Sequence, residues 1–438
     1  MTLPPFPGRE RYFRTGGVRS CAAWSAEVPT VQDPADRPVP IRPHPVLARR
    51  AALRFVLLIG VVSAFSDMTH EGARSITGPF LGSLGASGLV VSVVAGGGEL
   101  LGYGLRWFAG RAADRTGRYW AIAFFGYTLQ MAVVPLLAVS GNWPVAAALI
   151  VTERVGRAIR IPTRDAMTAH AAHRLGGGWA FGVREALDAG GAMVGPLVVS
   201  LVLWLHGSDR SAFAWLGIPA ALTLLSLVFT WRQFPNPADL EAEAPAQLTD
   251  SAPRPPAFWL YLAAMGLIAV GYADWPLIAL HFSEERMVGS TVAPVLYAVA
   301  MAAEAVAALV LGKVFDRVGL RSVLVVTVLT AAYAPLVFLG GLPLAVIGIL
   351  AWGLGMAAQE SIIKAVLTTI VPADRRATAF GLFDTGFGVA WFVGSILLGV
   401  LYDTSLVALA VVSALVQLAA LPLLVLTRRR LSTTASKG

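Results

Sequence analysis

The sequence predicts an all-α membrane protein of twelve transmembrane helices arranged as two six-helix, pseudo-symmetric halves. Three observations lead there. Hydrophobic residues make up 56% of the 438 residues and charged residues only 14%, against roughly 25% charged in a soluble globular chain. The apolar residues come in continuous runs, such as 53–66, 121–140, 197–205 and 407–427. Runs near 20 residues suit helices that cross a bilayer, whereas a membrane β-barrel would show alternation. Finally, a glycine-rich basic motif at residues 110–117 returns at residues 312–319.

The spans follow in order. Helices are expected over residues 53–81, 89–108, 119–139, 144–164, 179–205 and 212–231, then over 258–282, 292–313, 322–339, 343–371, 378–401 and 406–427. Residues 1–50 are rich in Pro and Arg and lack an apolar h-region, so a disordered tail without a cleavable signal peptide is expected. The N-terminal half occupies 51–231, and the polar, proline-containing stretch 232–257 reads as a linker. The C-terminal half occupies 258–430, and residues 431–438 form a short tail.

Charge placement sets the expected orientation. Arg42, Arg49, Arg50 and Arg54 precede the first span, and Arg111, Arg115 and Arg118 follow the second. Lys313, Arg317 and Arg321 follow the eighth span, whereas the opposite loops hold only Arg210 and Arg286. Basic loops stay inside, so both termini and the linker are expected in the cytoplasm of a multi-pass inner-membrane protein. The same placement accounts for the net charge of +8 without nucleic-acid binding. The single cysteine, Cys21, permits no internal disulfide.

The repeat is the most specific signal. Gly110-Arg-Ala-Ala-Asp114-Arg115-Thr-Gly117 matches Gly312-Lys-Val-Phe-Asp316-Arg317-Val-Gly319, and Ala180-Phe181-Gly182 matches Ala379-Phe380-Gly381. A parallel repeat of this kind places a pathway near mid-membrane, between the halves.

The motif Gly110, Asp114, Arg115, Gly117 and Arg118 resembles the signature loop of the major facilitator superfamily, and the resemblance extends over about residues 53–430. It implies that this loop, with its second copy at Gly312, Asp316, Arg317 and Gly319, is a conformational latch. It also implies a cavity lined by the first, fourth, seventh and tenth helices. Gly191-Ala-Met-Val-Gly195-Pro196 resembles a fifth-helix motif common in antiporters, but the glycine pair expected after the proline is replaced by Val198-Val199-Ser200. Helix packing explains the small residues equally well. The stretch Ser66-Asp67-Met-Thr-His70-Glu71-Gly-Ala-Arg74 resembles a bacterial and archaeal group of the superfamily without assigned substrate.

Ionisable residues inside spans are the candidate site. Each costs about 2.5–3.5 kcal/mol on insertion scales, and such residues usually line a pathway. Asp67, Glu71 and Arg74 have the spacing of one helix face. Glu99 and Glu304 fall near mid-span on corresponding helices. The fourth helix adds Glu153, Arg154 and Arg157, the fifth Glu185 and Asp188, the seventh Asp274, in a place comparable to Asp67, and the tenth Glu360.

These residues suggest a proton-coupled secondary transporter working by alternating access. Protons would be carried by Asp67, Glu99 or Glu304, with Glu99 favoured because the first half holds the richer charge set. Arg154 and Arg157 suit an anionic or polar solute. The alternatives are a drug or metabolite efflux antiporter, or a non-transporting sensor or assembly protein on the same scaffold. No nucleotide-binding loop, metal-binding pattern or enzyme constellation is present in the sequence. No cofactor is expected, and the expected partners are a small solute, protons and lipid, with the chain a monomer.

Overall fold

A computed structural model describes residues 45–175, 177–236, 256–359, 366, 367, 370 and 376–435. Side chains are described for these except 45–48, 114, 172–174, 177–181, 316, 376–378, 380 and 432–435. Residues 1–44 and most of the linker therefore lie outside the description.

The first half contains α1 (Pro45–Ser83), α2 (Gly88–Thr116), α3 (Tyr119–Leu136), α4 (Trp143–Leu175), α5 (Gly177–His206) and α6, in segments Asp209–Trp215 and Gly217–Gln233. The second contains α7 (Pro256–Val270 and Trp275–Glu284), α8 (Val292–Val318), α9 (Arg321–Thr330 and Tyr333–Phe338) and α10 (Leu342–Ala357). It closes with α11 (Arg376–Thr404) and α12, in segments Leu406–Leu418 and Ala420–Ala435.

Ten described helices are long and apolar enough to cross a membrane. The apolar α10 and the heavily charged α4 bring the count to twelve. Apolar side chains such as Trp204, Leu309 and Val139 are 73–76% exposed. Lipid is the environment in which such a surface is stable.

Both copies of the glycine motif end their helix on a glycine with positive φ. The Gly117 N–H bonds to the Ala113 carbonyl at 2.8 Å with φ +63°, ending α2. The Gly319 N–H bonds to the Phe315 carbonyl at 2.8 Å with φ +59°, ending α8. A left-handed terminal residue strongly favours glycine, because a Cβ would crowd the backbone. Arg115, Arg118 and Arg317 are exposed beside them. The side chains of Asp114 and Asp316 lie outside the described residues.

Within the first half, α1 and α5 meet backbone to backbone. A Cβ on Gly191 would strike the Ala64 carbonyl, and one on Gly195 would strike the Met68 carbonyl. The small residues of the fifth-helix motif therefore serve close packing, directly beside the charged stretch of α1.

One span departs from its expected course. The seventh helix is expected unbroken over 258–282, but it stops at Val270 and restarts at Trp275. Asp274 makes the restart possible, because its carboxylate accepts the Trp275 N–H at 2.8 Å and Pro276 follows in the first turn. Broken backbone at membrane depth must find side-chain partners. The Gly271 carbonyl accepts from Ser413 at 2.6 Å, Gln417 at 3.1 Å and Tyr333 at 3.2 Å. The Ala273 N–H donates to the Tyr333 hydroxyl at 2.5 Å, and its carbonyl accepts from the Trp352 indole at 2.9 Å. Helices α9, α10 and α12 thus hold the break open.

The halves touch closely on the face away from the chain ends. The Asp403 carboxylate of α11 accepts the Gly88 and Leu89 N–H groups of α2 at 2.8 and 3.0 Å. Ser200 of α5 donates to the Thr291 carbonyl at 2.6 Å, and Gly78 of α1 lies on the Pro276 carbonyl of α7.

Candidate functional site

Four residues in the middle of α1 form the spine of the site, and all four, Asp67, His70, Glu71 and Arg74, are buried, between 2% and 8% exposed. The spacing of Asp67, Glu71 and Arg74 suggests one shared environment, but the surrounding helices give each its own partner. Asp67 accepts from Arg160 of α4 at 2.8 Å. Glu71 accepts from the Tyr297 hydroxyl of α8 at 2.5 Å. Arg74 donates to Asp274 of α7. A helix of this length crosses neighbours at different depths, about 1.5 Å per residue, so one face meets several helices in turn.

This placement corrects one expectation. Asp274 is not at the level of Asp67; it faces Arg74, two turns further along α1. The reason is its capping role, which fixes it at the break in α7. The Trp275 indole donates to the Ser75 carbonyl at 3.3 Å beside it, so the contact ties α1 to α7 across the two halves.

His70 is the hub, which sequence reasoning left outside the candidate set. Its Nδ1 lies 2.7 Å from Glu153 Oε1. Its Nε2 faces Nη1 of Arg154 at 3.0 Å and Nη1 of Arg157. Guanidinium groups only donate. Nε2 therefore accepts, and the ring proton sits on Nδ1 and is donated to Glu153. Glu153 also accepts from the Gln130 amide of α3 at 2.5 Å, and the Gln130 carbonyl accepts from Arg160 at 2.5 Å. Glu99 of α2 pairs with Arg154 at 2.9 Å. The chain Asp67–Arg160–Gln130–Glu153–His70–Arg154–Glu99 is thus continuous through α1, α2, α3 and α4.

A small cavity opens beside this chain, lined by His70, Arg74, Glu153 and Arg154 together with Thr77 and Pro276. Nε of Arg74 and of Arg154, which line it, and Nε of Arg157 nearby on α4 are buried without a hydrogen-bond partner.

Other candidates lie elsewhere. Asp188 joins Arg164 at 3.3 Å and Arg184 at 2.9 Å, forming a second cluster nearer the termini. Glu185 is exposed and pairs with Arg184 at 2.9 Å. Glu304 is half-buried on α8, within electrostatic reach of Tyr272. Glu360 lies outside the described residues.

Gln130 carried a usable signal, an amide in an otherwise apolar stretch of α3. Tyr297 carried none, because a tyrosine in a span is ordinary.

Comparison with known proteins agrees with this architecture. The family description of the Major Facilitator Superfamily matches residues 260–438. An uncharacterised protein of Mycobacterium bovis is 42% identical over 377 residues, which is 85% of this chain and 92% of that protein. An uncharacterised MFS-type transporter of Methanocaldococcus jannaschii is 26% identical over 359 residues, 80% of this chain and 89% of that protein. The crystal structure of the nucleoside transporter NupG superposes with a TM-score of 0.69 at 15% identity, covering 84% of this chain and 98% of that one. These similarities, the helical bundle and the repeated loop together show that the chain belongs to the major facilitator superfamily of membrane transporters.

Proposed function

We propose that the protein is a proton-coupled secondary transporter that moves a small solute across the cytoplasmic membrane by alternating access. The observation that carries this reading is the buried polar chain on α1–α4 and its two links into the other half, Arg74 to Asp274 and Glu71 to Tyr297. A purely structural set of ion pairs would be expected to lie within one half. Here a single helix, α1, carries both the network and the contacts that join the halves. Rearrangement of charge in the network therefore alters the force holding the halves together, which is what coupling requires.

The closed face lies away from the termini, so with both termini cytoplasmic the protein is in a state shut toward the outside. The assumed orientation has its own test. In a Cys21→Ser background, Gln247→Cys is expected to resist an impermeant thiol reagent added outside intact cells, and Asp209→Cys to react. The reverse pattern overturns the orientation.

Transport is tested on purified protein. A thermal-shift screen identifies a stabilising solute, since a ligand that binds only the folded state raises its stability. That solute is then offered to proteoliposomes with and without an imposed pH gradient. Accumulation only with the gradient is the expected result. Equal uptake in both conditions removes the proton from the proposal.

A further inference from the structure

We propose that His70 is a proton-operated release for Arg154 and Arg157, which then bind an oxyanion group of the solute in the cavity between α1, α2 and α4. The proposal rests on the transport reading above and adds the chemical class of the solute and the order in which the site is assembled.

Charge balance is the first observation. The connected cluster contains five carboxylates, Asp67, Glu71, Glu99, Glu153 and Asp274. It contains four guanidinium groups, Arg74, Arg154, Arg157 and Arg160. With His70 neutral, as its hydrogen bonds require, the cluster carries one excess negative charge. Arg106 of α2, stacked over the Tyr103 ring at 4.8 Å, lies within electrostatic reach of Glu99 and balances that charge, whereas Arg164 is engaged by Asp165 and Asp188 at 3.0 and 3.3 Å. An anion entering the site as it stands would leave a net negative charge in a low-dielectric setting. One added proton offsets the charge that the anion brings.

Hydrogen-bonding capacity is the second. Donors are in surplus, since the Nε–H groups of Arg74 and Arg154, which line the cavity, and of Arg157, one turn from Arg154 on α4, make no hydrogen bond. Buried donors without acceptors are costly, and an oxyanion supplies acceptors in the planar or tetrahedral arrangement that guanidinium groups match. A neutral or cationic solute leaves those donors unsatisfied.

The position of His70 connects the two. Its Nε2 lone pair is what Arg154 and Arg157 donate to. A proton on Nε2 turns that acceptor into a donor, so both guanidinium groups must turn away. The new N–H has an acceptor at hand, because Glu71 Oε1 lies 3.7 Å from Nε2. The protonated ring then bridges Glu153 through Nδ1 and Glu71 through Nε2. Arg157 gives up both its contacts in this exchange, since its other partner is the same Glu71 oxygen at 4.0 Å. Its side chain is the most open of the cluster's arginines, at 24% exposure, so it is the one positioned to meet a solute. Glu99, the acid favoured from sequence, is half-buried and stays paired with Arg154 at 2.9 Å until that release occurs.

The test measures binding, so it does not depend on transport. Titrate the purified protein in detergent with acetate and, separately, with sulfate, at about pH 5.5 and about pH 8 and constant ionic strength. Both probes keep their charge over this range, and they stand for carboxylate and phosphate-like groups. Proton uptake is read from the dependence of the binding heat on buffer ionisation.

At least one probe is expected to bind about tenfold or more tightly at the lower pH, taking up about one proton per anion. In His70→Gln the pH dependence and the proton uptake are both lost. In Arg157→Gln anion affinity falls about tenfold or more. Imidazole ¹⁵N shifts of wild-type protein, with His70 assigned by comparison with His70→Gln, give a readout free of folding defects. The His70 signal changes to its doubly protonated form when the anion is added at low pH.

If neither probe binds at the lower pH, or binding takes up no proton, the proposal is overturned. It is equally overturned if the uptake persists in His70→Gln. Any of these results leaves the transport assay standing, and a failed transport assay with proton-linked anion binding intact would instead point to a sensor.

Discussion

Arg74→Gln is expected to abolish transport and to destabilise the protein by about 3–5 kcal/mol, the cost of leaving a buried charge without its partner. The charge left unpaired would be that of Asp274, which is 3% exposed and has a second carboxylate oxygen without any hydrogen bond. Asp274→Asn is expected to cost less, because Arg74 keeps Glu71 at 3.6 Å. Asparagine still caps the restart of α7, so that loss reports the weakened pairing of Arg74 rather than a broken helix. The double variant Arg74→Gln with Asp274→Asn leaves no unpaired charge and is expected to be more stable than either single variant. Chemical unfolding in detergent, read as a double-mutant cycle, checks this. Additive single effects would show that the pair does not hold the halves together.

Glycine substitutions at two neighbouring sites on the closed face and inside the first half are expected to differ in kind. A Cβ on Gly195 strikes the Met68 carbonyl of α1, a contact within one half. Gly195→Val is therefore expected to prevent accumulation of folded protein, because α1 and α5 cannot separate without undoing that half. A Cβ on Gly78 strikes the Pro276 carbonyl of α7, a contact between halves that alternating access must make and break. Gly78→Val is expected to fold and insert but to be unable to close that face. Thr77, which lines the cavity, provides the readout. In a Cys21→Ser background, Thr77→Cys is expected to be slow to alkylate from outside, and much faster when Gly78→Val is added. Equal alkylation rates, with the protein folded, would mean that the contact does not control access.

The seventh helix shows how a site can depend on residues that look unrelated in the sequence. Its break is held by Tyr333, Trp352, Ser413 and Gln417, from three later helices. Those contacts place Asp274 where Arg74 can reach it. A local reading of residues 258–282 sees only an apolar run with one acid, so it yields a continuous span.

Local pattern was sufficient for much of the rest. Run length and hydropathy determined the membrane class and the count of twelve, because the cost of exposing backbone to lipid leaves little choice but helices. The repeated motif determined that two spans end on a glycine, and both Gly117 and Gly319 have a positive φ. The expense of charge in a bilayer marked Asp67, Glu71, Arg74, Glu99, Glu153, Arg154 and Arg157 as residues needing partners. Which partner each one found was decided by tertiary structure alone. His70 lies 83 residues from Glu153, and Arg74 lies 200 from Asp274. Helical spacing fixes the face a side chain occupies, but the helix it meets there depends on packing of the whole bundle, through contacts such as Gly195 on Met68. For that reason the charges were legible in the sequence, and the histidine that links them was not.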